Sequence, residues 1–425
     1  ISFNAFSQTD LTRKIADAAA RLEPKIIAWR RDIHEHPELG NLEKRTSALI
    51  AAHLQQLGLE VKTGIAHTGV VALLKGSKPG PVVALRADMD ALPITESTGL
   101  PFASTQKTIY NGAETGVMHA CGHDAHVAIL MGVAELLSSM KNEIRGTVKF
   151  IFQPAEEGVP RGEEGGAELM VKEGVLTNPD VNAIFGLHVK AGLETGKIGY
   201  KAGGMYAAVN DMKIIVTGKP AHGAYPWLSV DPIVVASQII NSLQTIVSRN
   251  VDLTKNPAVV TIGAINGGNR QNIISEKVEM LGTIRTFSAS DEELIIKRIQ
   301  TIVTKTAEAA GATAAAIIPY ASHYPVTMND TLLTEKMLPS LIRAAGADNV
   351  ELVNGVTGAE DFSFYQQKVP GVFVQLGAMP KGKNPAEVAP HHTSKFFIEE
   401  SSFVLGVKVL STLALDYLNS SNVKK

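Results

Sequence analysis

The chain has 425 residues, of which 45% are hydrophobic, and its formal net charge is −2. A single hydrophobic core stops growing near ~250–300 residues, so this length predicts more than one domain. The near-neutral charge offers no basic surface for nucleic acid. No membrane partner is expected either, because we find no apolar run of the ~18 residues that a membrane span needs. Cys121 is the one cysteine, which excludes an intramolecular disulfide.

The first residues bear on cellular location. The chain begins at Ile1 rather than Met, and residues 5–7 read Ala-Phe-Ser, like the small-x-small end of a secretory signal. The charged start and the apolar stretch of a signal are absent from this sequence. A processed exported precursor and an artificially chosen start are both compatible with these residues. We slightly favour a periplasmic or secreted location over a cytoplasmic one.

The first half of the chain alternates helix and strand patterns. Apolar spacing predicts helices over 11–31, 46–57 and 125–140. Short apolar runs predict four buried strands, over 70–74, 81–85, 147–152 and 183–187. This alternation predicts an α/β layer built on a mixed, largely parallel sheet.

A different pattern starts near residue 211. Strands are predicted over 212–216, 258–265, 278–287 and 312–319, and helices over 231–249 and 292–310. The resulting order, β-α-β-β-α-β, is that of a ferredoxin-like unit. The α/β style then returns, with a helix over 332–345, a strand over 371–376 and a closing helix over 401–418. We therefore predict a larger α/β domain split into 1–207 and 321–425, with a small domain inserted at 208–320.

Three predicted strands lead into acidic residues or a histidine. The run 81–85 leads to Asp88 and Asp90, the run 147–152 leads to Glu156 and Glu157, and the run 183–187 leads directly to His188. In open α/β sheets, ligands bind beyond the carboxyl ends of the strands. These side chains are therefore predicted to converge in one crevice.

The densest cluster of polar residues is 119–126, which reads His-Ala-Cys-Gly-His-Asp-Ala-His. Cys121 and His123 lie two residues apart on a turn that Gly122 permits, so both could face one cation of the zinc type. The alternative is that Asp124 is the N-cap of the following helix and the histidines are incidental. The two interpretations are compatible.

Two pairs of adjacent residues are ambiguous on their own. Glu156 and Glu157 would point apart in an extended loop, so one could bind a metal while the other acts as general base. A solvated acidic turn is the alternative for this pair. The pair His391-His392, after the predicted strand 371–376, is a weaker metal signal.

Six segments together resemble the M20 metallopeptidase clan. Within it, they are most similar to the branch of hippurate hydrolases, N-acyl-L-amino acid amidohydrolases and plant auxin-conjugate hydrolases. The segments follow the family order and span nearly the whole chain: 31–38, 86–93, 118–124, 152–158, 222–226 and 358–362. The family fold is a split catalytic domain with an inserted ferredoxin-like lid, in agreement with the domain pattern above. The resemblance also implies a homodimer formed through the lid domain.

The resemblance implies two divalent metal ions per subunit. Cys121 would bridge both ions, His123 and His188 would complete one site, and Glu157 and His392 would complete the other. Zinc and manganese both fit these ligands, and cobalt or nickel could replace them.

The same resemblance implies a reaction, hydrolysis of the amide bond of an N-acyl amino acid to a carboxylic acid and a free amino acid. Glu156 would be the general base and then the acid, and Asp90 would orient a metal-binding histidine. In the lid, His222 would reach an active site, in some relatives that of the partner subunit, and Asn272 and Arg285 would hold the substrate carboxylate. Arg285 could equally be a structural strand residue.

The sequence departs from the family pattern at a few positions. Trp227 follows Pro226 where relatives often have histidine, and Ser275 follows Ile274 where proline is common. Neither position belongs to the implied metal set. Asp88 stands where related peptidases place a ligand histidine, and we leave it unassigned.

Three alternative functions remain open from the sequence. The first is a carboxypeptidase or dipeptidase of the same clan, acting on short peptides. Cys121 at the bridging position, where an aspartate would suit a peptidase, favours the acyl-amino-acid branch. A non-catalytic ligand-binding homologue is less favoured because Glu156 and every implied ligand are present. A closed structural zinc site in an unrelated enzyme needs only four ligands and does not account for the additional glutamate.

Overall fold

The computed structural model describes residues 2–321 and 323–420, which form two compact units. The first unit takes the described residues up to 203, together with 328–354 and those from 364 onward. The second takes 204–327, apart from residue 322, and 355–363. The second unit thus starts before the expected boundary at 208, ends after the one at 320, and includes a segment that the sequence assigned to the larger domain.

The first unit opens with two helices, α1 (Ser2–Glu35) and α2 (Lys44–Gln56). The elements that follow, in order, are β1 (Glu60–Ile65), β2 (Gly69–Lys75), β3 (Lys78–Asp88), β4 (Lys107–Tyr110), β5 (Ala113–Gly116), α3 (His123–Ser139), β6 (Arg145–Gln153), α4 (Gly166–Lys172), β7 (Ala183–Glu194) and β8 (Ile198–Tyr200). The sequence did not predict β1, β4 and β5, because their side chains are mostly exposed and form no apolar run.

The chain continues into the second unit. Its elements are β9 (Gly203–Tyr206), β10 (Ala208–Thr217), β11 (Ala221–His222), α5 (Pro232–Asn250), β12 (Ala258–Gly267), β13 (Ile273–Ile274), β14 (Lys277–Thr286), α6 (Ala289–Ala309), β15 (Thr313–Ile317) and β16 (His323–Tyr324). An antiparallel sheet has the order β12-β14-β10-β15, and α5 and α6 bury Ile239, Leu243, Ile295 and Ile299 in the core they share with it. This is the strand order of a ferredoxin-like unit.

The remaining elements are β17 (Thr327–Asn329), α7 (Thr331–Ala345), β18 (Val350–Leu352), α8 (Ser363–Gln366), β19 (Gly371–Met379) and α9 (Phe403–Ser420). They complete an eight-stranded sheet in the order β1-β2-β6-β3-β7-β19-β8-β18. The central strands β6, β3, β7 and β19 are parallel to one another. β2 is antiparallel to β6, β1 to β2 and β8 to β19, and β18 is parallel to β8. The predicted α/β class with a mixed, largely parallel sheet is therefore confirmed.

Helix α9 corrects one statement made from the sequence. Glu400–Ser420 is long and apolar enough to cross a membrane by composition, although we had found no such run. In the structure, 72% of an 18-residue apolar segment within it is buried inside the protein, and Phe403, Val407 and Leu413 are fully inaccessible. The helix packs against α1, α3 and α7 of the first unit, so we assign it as a core helix.

Candidate metal centre

The large sheet directs candidate ligands to one edge. β3 ends at Asp88, two residues before Asp90, and β6 ends at Gln153, just before the turn that carries Glu156 and Glu157. β3 and β6 are parallel neighbours, with Asp88 opposite Gln153, so these carboxylates leave the sheet side by side. The convergence expected from the strand ends is present in the fold.

Cys121 lies where two groups of potential ligands meet. One group contains Cys121, His123 and His188, and the other contains Cys121, Glu157 and His392; within each, the ligand atoms lie within 4.8 Å of one another. These are the sets that the resemblance pairs around a shared thiolate. The ligand atoms of one tetrahedral zinc ion lie roughly 3.3–3.7 Å apart, given bonds of ~2.0–2.3 Å. Groups of this size could therefore each hold one ion.

The sequence predicted that His188 follows the end of its strand. In the structure it lies inside β7. The strand runs on to Glu194 because residues beyond His188 continue to pair with β19, where Gln375 lies opposite the histidine. The ring still faces Cys121, with Nε2 3.4 Å from Sγ, while Nδ1 lies 2.7 Å from the carbonyl oxygen of Val189. Donation of the Nδ1 proton to that carbonyl leaves the Nε2 lone pair directed at the thiol. Burial lowers the pKa of His188 well below its usual value and keeps the ring neutral, as a metal ligand must be.

His123 is oriented by Asp90. Asp90 Oδ1 lies 3.2 Å from His123 Nδ1, and Asp90 Oδ2 accepts a 2.9 Å hydrogen bond from the backbone N–H of Glu157. His123 Nε2 is buried and finds no hydrogen-bond partner among the described residues. It faces oxygens of Asp88, Glu156 and Glu157 at 3.9–4.0 Å, too far for hydrogen bonds. A buried ring nitrogen that faces carboxylates without a hydrogen-bond partner is a position that a cation could occupy once the ring has lost its proton.

His392, rather than its neighbour His391, belongs to the second group. His392 Nε2 lies 3.1 Å from Glu157 Oε1 and 3.3 Å from Cys121 Sγ. His391 Nδ1 is 3.8 Å from the same sulfur, and its Nε2 accepts a hydrogen bond from the backbone of Ala191 at 3.2 Å. With one nitrogen already occupied and the other distant, His391 falls outside both groups.

The electrostatics of the centre also suit cations. Burial, and then the negative charges of Glu157 and Glu156, raise the pKa of the Cys121 thiol well above its usual range. Burial lowers the pKa of His123, but the carboxylates of Asp88 and Asp90 outweigh it and raise that pKa to about 10. Without added positive charge, the neighbouring carboxylates therefore favour the protonated forms of Cys121 and His123. Divalent ions would displace those protons, and the mixture of sulfur, nitrogen and oxygen donors fits zinc or manganese.

Asp88 and His126 form a buried pair whose role the sequence did not reveal. Asp88 Oδ1 lies 2.5 Å from His126 Nδ1, and Asp88 Oδ2 accepts a 2.6 Å hydrogen bond from Arg86. His126 Nε2 accepts the N–H of Val189 at 2.9 Å, next to His188. Asp88, His123 and His126 also form a third group with metal-binding geometry, but both His126 nitrogens already have partners. The one sequence signal for His126 was its place three residues after His123, one helical turn along α3.

Asp124 is not the N-cap of α3, contrary to the alternative considered above. Gly122 occupies the cap position with a φ of 96°, and the helix starts at His123. The Asp124 carboxylate instead lies 2.8 Å from Arg30 Nε and 2.7 Å from His34 Nδ1, all three side chains being buried. The segment that carries Cys121 and His123 is thereby anchored to α1.

The three predicted substrate-binding residues all lie in the second unit. His222 is exposed at the end of β11, and the N–H of the next residue donates to the carbonyl of Asn272 at 2.8 Å, so these two positions are adjacent. Arg285 lies elsewhere, on β14 between Val209 and Val259 of the neighbouring strands, and burial lowers the pKa of its half-buried side chain. Their roles towards substrate stay predictions.

Comparison with known proteins shows the family of the chain. Residues 84–416 match the family described as peptidase family M20/M25/M40. The chain is 39% identical to thermostable carboxypeptidase 1 of Saccharolobus solfataricus, over 96% of this chain and 100% of that protein. It is 38% identical to an N-acetylcysteine deacetylase of Bacillus subtilis, over 93% of this chain and 97% of that protein. The crystal structure of the Bacillus subtilis YXEP protein, a dinuclear metal-binding peptidase of the M20 family, superposes with a TM-score of 0.78 at 35% identity, covering 94% of this chain and 99% of that one.

The chain belongs to peptidase family M20/M25/M40. It is accordingly an enzyme, a metal-dependent hydrolase of the amidohydrolase type. The relatives' names include both deacetylases and carboxypeptidases, so membership alone leaves the substrate open.

Proposed function

We propose that this enzyme hydrolyses the amide bond of N-acyl amino acids with two divalent metal ions. The observation that carries the proposal is the pair of ligand groups sharing Cys121, with Glu156 beside them. A closed structural site needs four ligands around one ion, whereas two adjoining groups of three leave coordination positions open for water and substrate.

Two ions of zinc or manganese would be held by the two Cys121-sharing groups, with cobalt or nickel as substitutes. When bound, such ions lower the pKa of water and polarise a carbonyl group. Glu156 is proposed as the proton carrier: it takes a proton from the attacking water and delivers it to the leaving amine. Its carboxylate is buried, and Oε2 lies 4.0 Å from His123 Nε2, so the proton carrier stands beside the ligands.

The proposed substrate class is supported by the names of the relatives and by the negative charge of such substrates. The deacetylase relative acts, by its name, on N-acetylcysteine, an N-acyl amino acid. Such substrates carry a free carboxylate next to the scissile amide. From the resemblance alone, Arg285 and Asn272 are proposed as contacts for that carboxylate, and His222 is proposed to donate to the carbonyl oxygen. Arg285 lies apart from the other two residues, and its part in the proposal is the bidentate pairing of a guanidinium with a carboxylate.

A carboxypeptidase of the same family is the second candidate. The 39% identity to a thermostable carboxypeptidase over the full length of that relative is the observation that favours it. Both substrates present an amide bond beside a terminal carboxylate, so the same residues would serve either reaction. The two candidates differ in what occupies the acyl side of the bond.

We also propose that the enzyme forms a homodimer through its second unit. β12 is the last strand of the sheet on one side, and Val259 and Ile265 are exposed along it. Ile233 and Val234 at the start of α5 are exposed as well. An edge strand with apolar side chains favours pairing with another chain.

The decisive experiment is a substrate panel containing N-acetyl and N-benzoyl amino acids and short peptides, assayed with and without a chelator. Wild type is compared with Glu156→Ala and with Glu168→Ala, an exposed glutamate of α4 that serves as the matched control. We expect metal-dependent release of free amino acid by wild type and Glu168→Ala, and its loss in Glu156→Ala. Cleavage of peptides alone would support the carboxypeptidase, and no turnover of any substrate by metal-loaded enzyme would refute both.

A further inference from the structure

Glu43 is a buried acidic residue that lies outside the metal groups. It occupies the N-cap position of α2 and is fully inaccessible, but its side chain makes no capping hydrogen bond. Its Oε2 accepts a 2.6 Å hydrogen bond from the hydroxyl of Thr68, and its Oε1 accepts a 2.9 Å hydrogen bond from the backbone N–H of Ala155. The carboxylate therefore points away from its own helix, towards the residue that precedes Glu156.

Another glutamate caps α2 in its place. The two carboxylate oxygens of Glu38 accept hydrogen bonds of 2.9 Å from the N–H groups of Arg45 and Thr46 in the first turn. These are donors that an N-cap side chain ordinarily satisfies. With the helix terminus served by Glu38, the helix itself does not explain why Glu43 is an acid.

The turn that Glu43 contacts is one that needs support. Ala155 has a φ of 52°, in the left-handed region that a residue with a Cβ adopts only at a cost in free energy. Its N–H is buried and bonded to Glu43, and its conformation sets the direction in which the chain leaves β6 towards Glu156. Gly40 packs against the same turn, because a Cβ there would lie 2.4 Å from the carbonyl oxygen of Gly158.

The backbone N–H groups on both sides of Glu156 thus donate hydrogen bonds to buried acidic side chains. On one side Glu43 accepts from Ala155, and on the other Asp90 accepts from Glu157. The segment 38–43 connects these two supports, since the carbonyl of Glu38 accepts the N–H of Ala91, the neighbour of Asp90, at 2.8 Å. Segment 38–43 therefore ties the end of β3 to the turn after β6.

The surroundings of Glu43 show that burying an acid there is costly. Burial, and then the charge of Asp90, raise the pKa of Glu43 to about 8, so the site disfavours a charge on this residue. The hydrogen bond from Ala155 needs only an acceptor oxygen, and the Thr68 hydroxyl needs only a polar partner. A neutral amide of the same shape could supply both, with its oxygen accepting from Ala155 and its NH₂ donating to Thr68.

We propose that Glu43 is a positioning residue for Glu156, acting through the backbone of Ala155 to fix the turn that carries the proton carrier. This inference rests on the proposed role of Glu156 and deepens it. A carboxylate that must reach both the attacking water and the leaving amine tolerates little displacement. Loss of the Glu43 hydrogen bonds therefore lowers the rate of proton transfer rather than the affinity for substrate.

The test compares Glu43→Ala with Glu43→Gln at saturating metal and substrate, each in wild-type and Glu156→Ala backgrounds. We expect kcat of Glu43→Ala to fall roughly 10- to 100-fold, as for residues that orient catalytic groups, with KM little changed. Glu43→Gln should recover most of that loss because it keeps both hydrogen bonds. Asp330→Ala, which removes the N-cap of α7 in the same unit, is the stability control and should lower Tm without lowering kcat.

The double variant separates positioning from a general structural role. If Glu43 acts only through Glu156, Glu43→Ala changes the residual rate of Glu156→Ala by less than about twofold. An equal loss in both backgrounds, a wild-type kcat in folded Glu43→Ala, or a glutamine variant as slow as the alanine one would each overturn the inference. Should Glu43→Ala fail to fold, Glu43→Asp, which draws the carboxylate back from Ala155, takes its place in the same cycle.

The same data distinguish this inference from the proposed function. Undiminished turnover by Glu156→Ala would refute the role of Glu156 and leave Glu43 with nothing to position. Loss of turnover in Glu156→Ala beside normal turnover in Glu43→Ala would refute only the inference.

Discussion

Replacement of Cys121 gives the sharpest test of the two-metal centre, because this residue belongs to both ligand groups. Cys121→Ala leaves each group with two protein ligands in place of three. Residues that merely orient ligands contribute roughly 10- to 100-fold to metal affinity. Loss of a direct ligand should therefore lower the binding affinity for each ion by at least roughly 100-fold, or about 2.8 kcal/mol. The fold should survive, since the thiol is a small side chain replaced by a smaller one.

The matched variants follow from the same geometry. His392→Ala removes a ligand from one group only, and His188→Ala removes one from the other. His391→Ala, whose Nδ1 lies 3.8 Å from Cys121 Sγ, belongs to neither group and is the control. We therefore expect two tightly bound ions in wild type and His391→Ala, one in each of the other two histidine variants, and none in Cys121→Ala.

The assay is metal content after dialysis, measured by elemental analysis, together with the affinity of each ion by competition with a chelator. Cys121→Ala that retains two ions at wild-type affinity would refute the shared-ligand arrangement. Loss of one ion only in Cys121→Ala would show that the thiol serves a single site.

Four further predictions concern Asp90, the pH dependence of metal binding, the pH dependence of the rate, and the assembly. Asp90→Asn replaces one acceptor oxygen by a donor and should lower kcat roughly 10- to 100-fold, whereas the exposed Asp252→Asn should not; equal activities measured at saturating metal would contradict the role of Asp90. Because the pKa of Cys121 and that of His123 are both raised, metal binding must release their protons. The affinity for metal should therefore increase with pH. An affinity that calorimetry finds to be the same in buffers of two different pH values would be inconsistent with this. The rate should fall at acid pH, and a flat rate down to about pH 4, well below the ordinary histidine pKa of ~6.5, would count against the mechanism. Ile265→Lys on β12 should dissociate the proposed dimer in light scattering while Ile109→Lys, an exposed isoleucine of β4, should not; a monomeric wild type would refute the dimer.

The spacing of apolar residues predicted most of the helices and strands, because each such element depends on residues close together in the sequence. The buried runs 81–85 and 147–152 lie inside β3 and β6, and the helix expected over 125–140 is α3 with a start two residues earlier. The exposed strands β1 and β4 gave no such signal, because their backbone pairing depends on partners rather than on an apolar face. The α/β class followed from the alternation of these elements.

The candidate ligands were also recognisable in the sequence, through motifs that place acids, histidines and Cys121 after or between strands. What the sequence could not decide was which nitrogen, oxygen or sulfur each residue would offer. The resemblance already pointed to His392, but the direction of its Nε2 towards Cys121, and of the His391 Nε2 towards Ala191, depends on the path of a loop. The position of His188 inside β7 depends on the length of its pairing with β19.

The sequence by itself thus determined the element order, the family motifs and the candidate set around Cys121. Asp90 was already implied as a positioning residue, but tertiary structure alone revealed Glu43 and the Asp88–His126 pair behind that set. Glu43 and Ala155 are 112 positions apart, and Asp88 and His126 are 38 apart, yet each pair shares a buried hydrogen bond. No periodicity along the chain encodes such a contact. It exists because the sheet and the packing of α2 and α3 bring distant backbone together, where a buried polar group must find a partner.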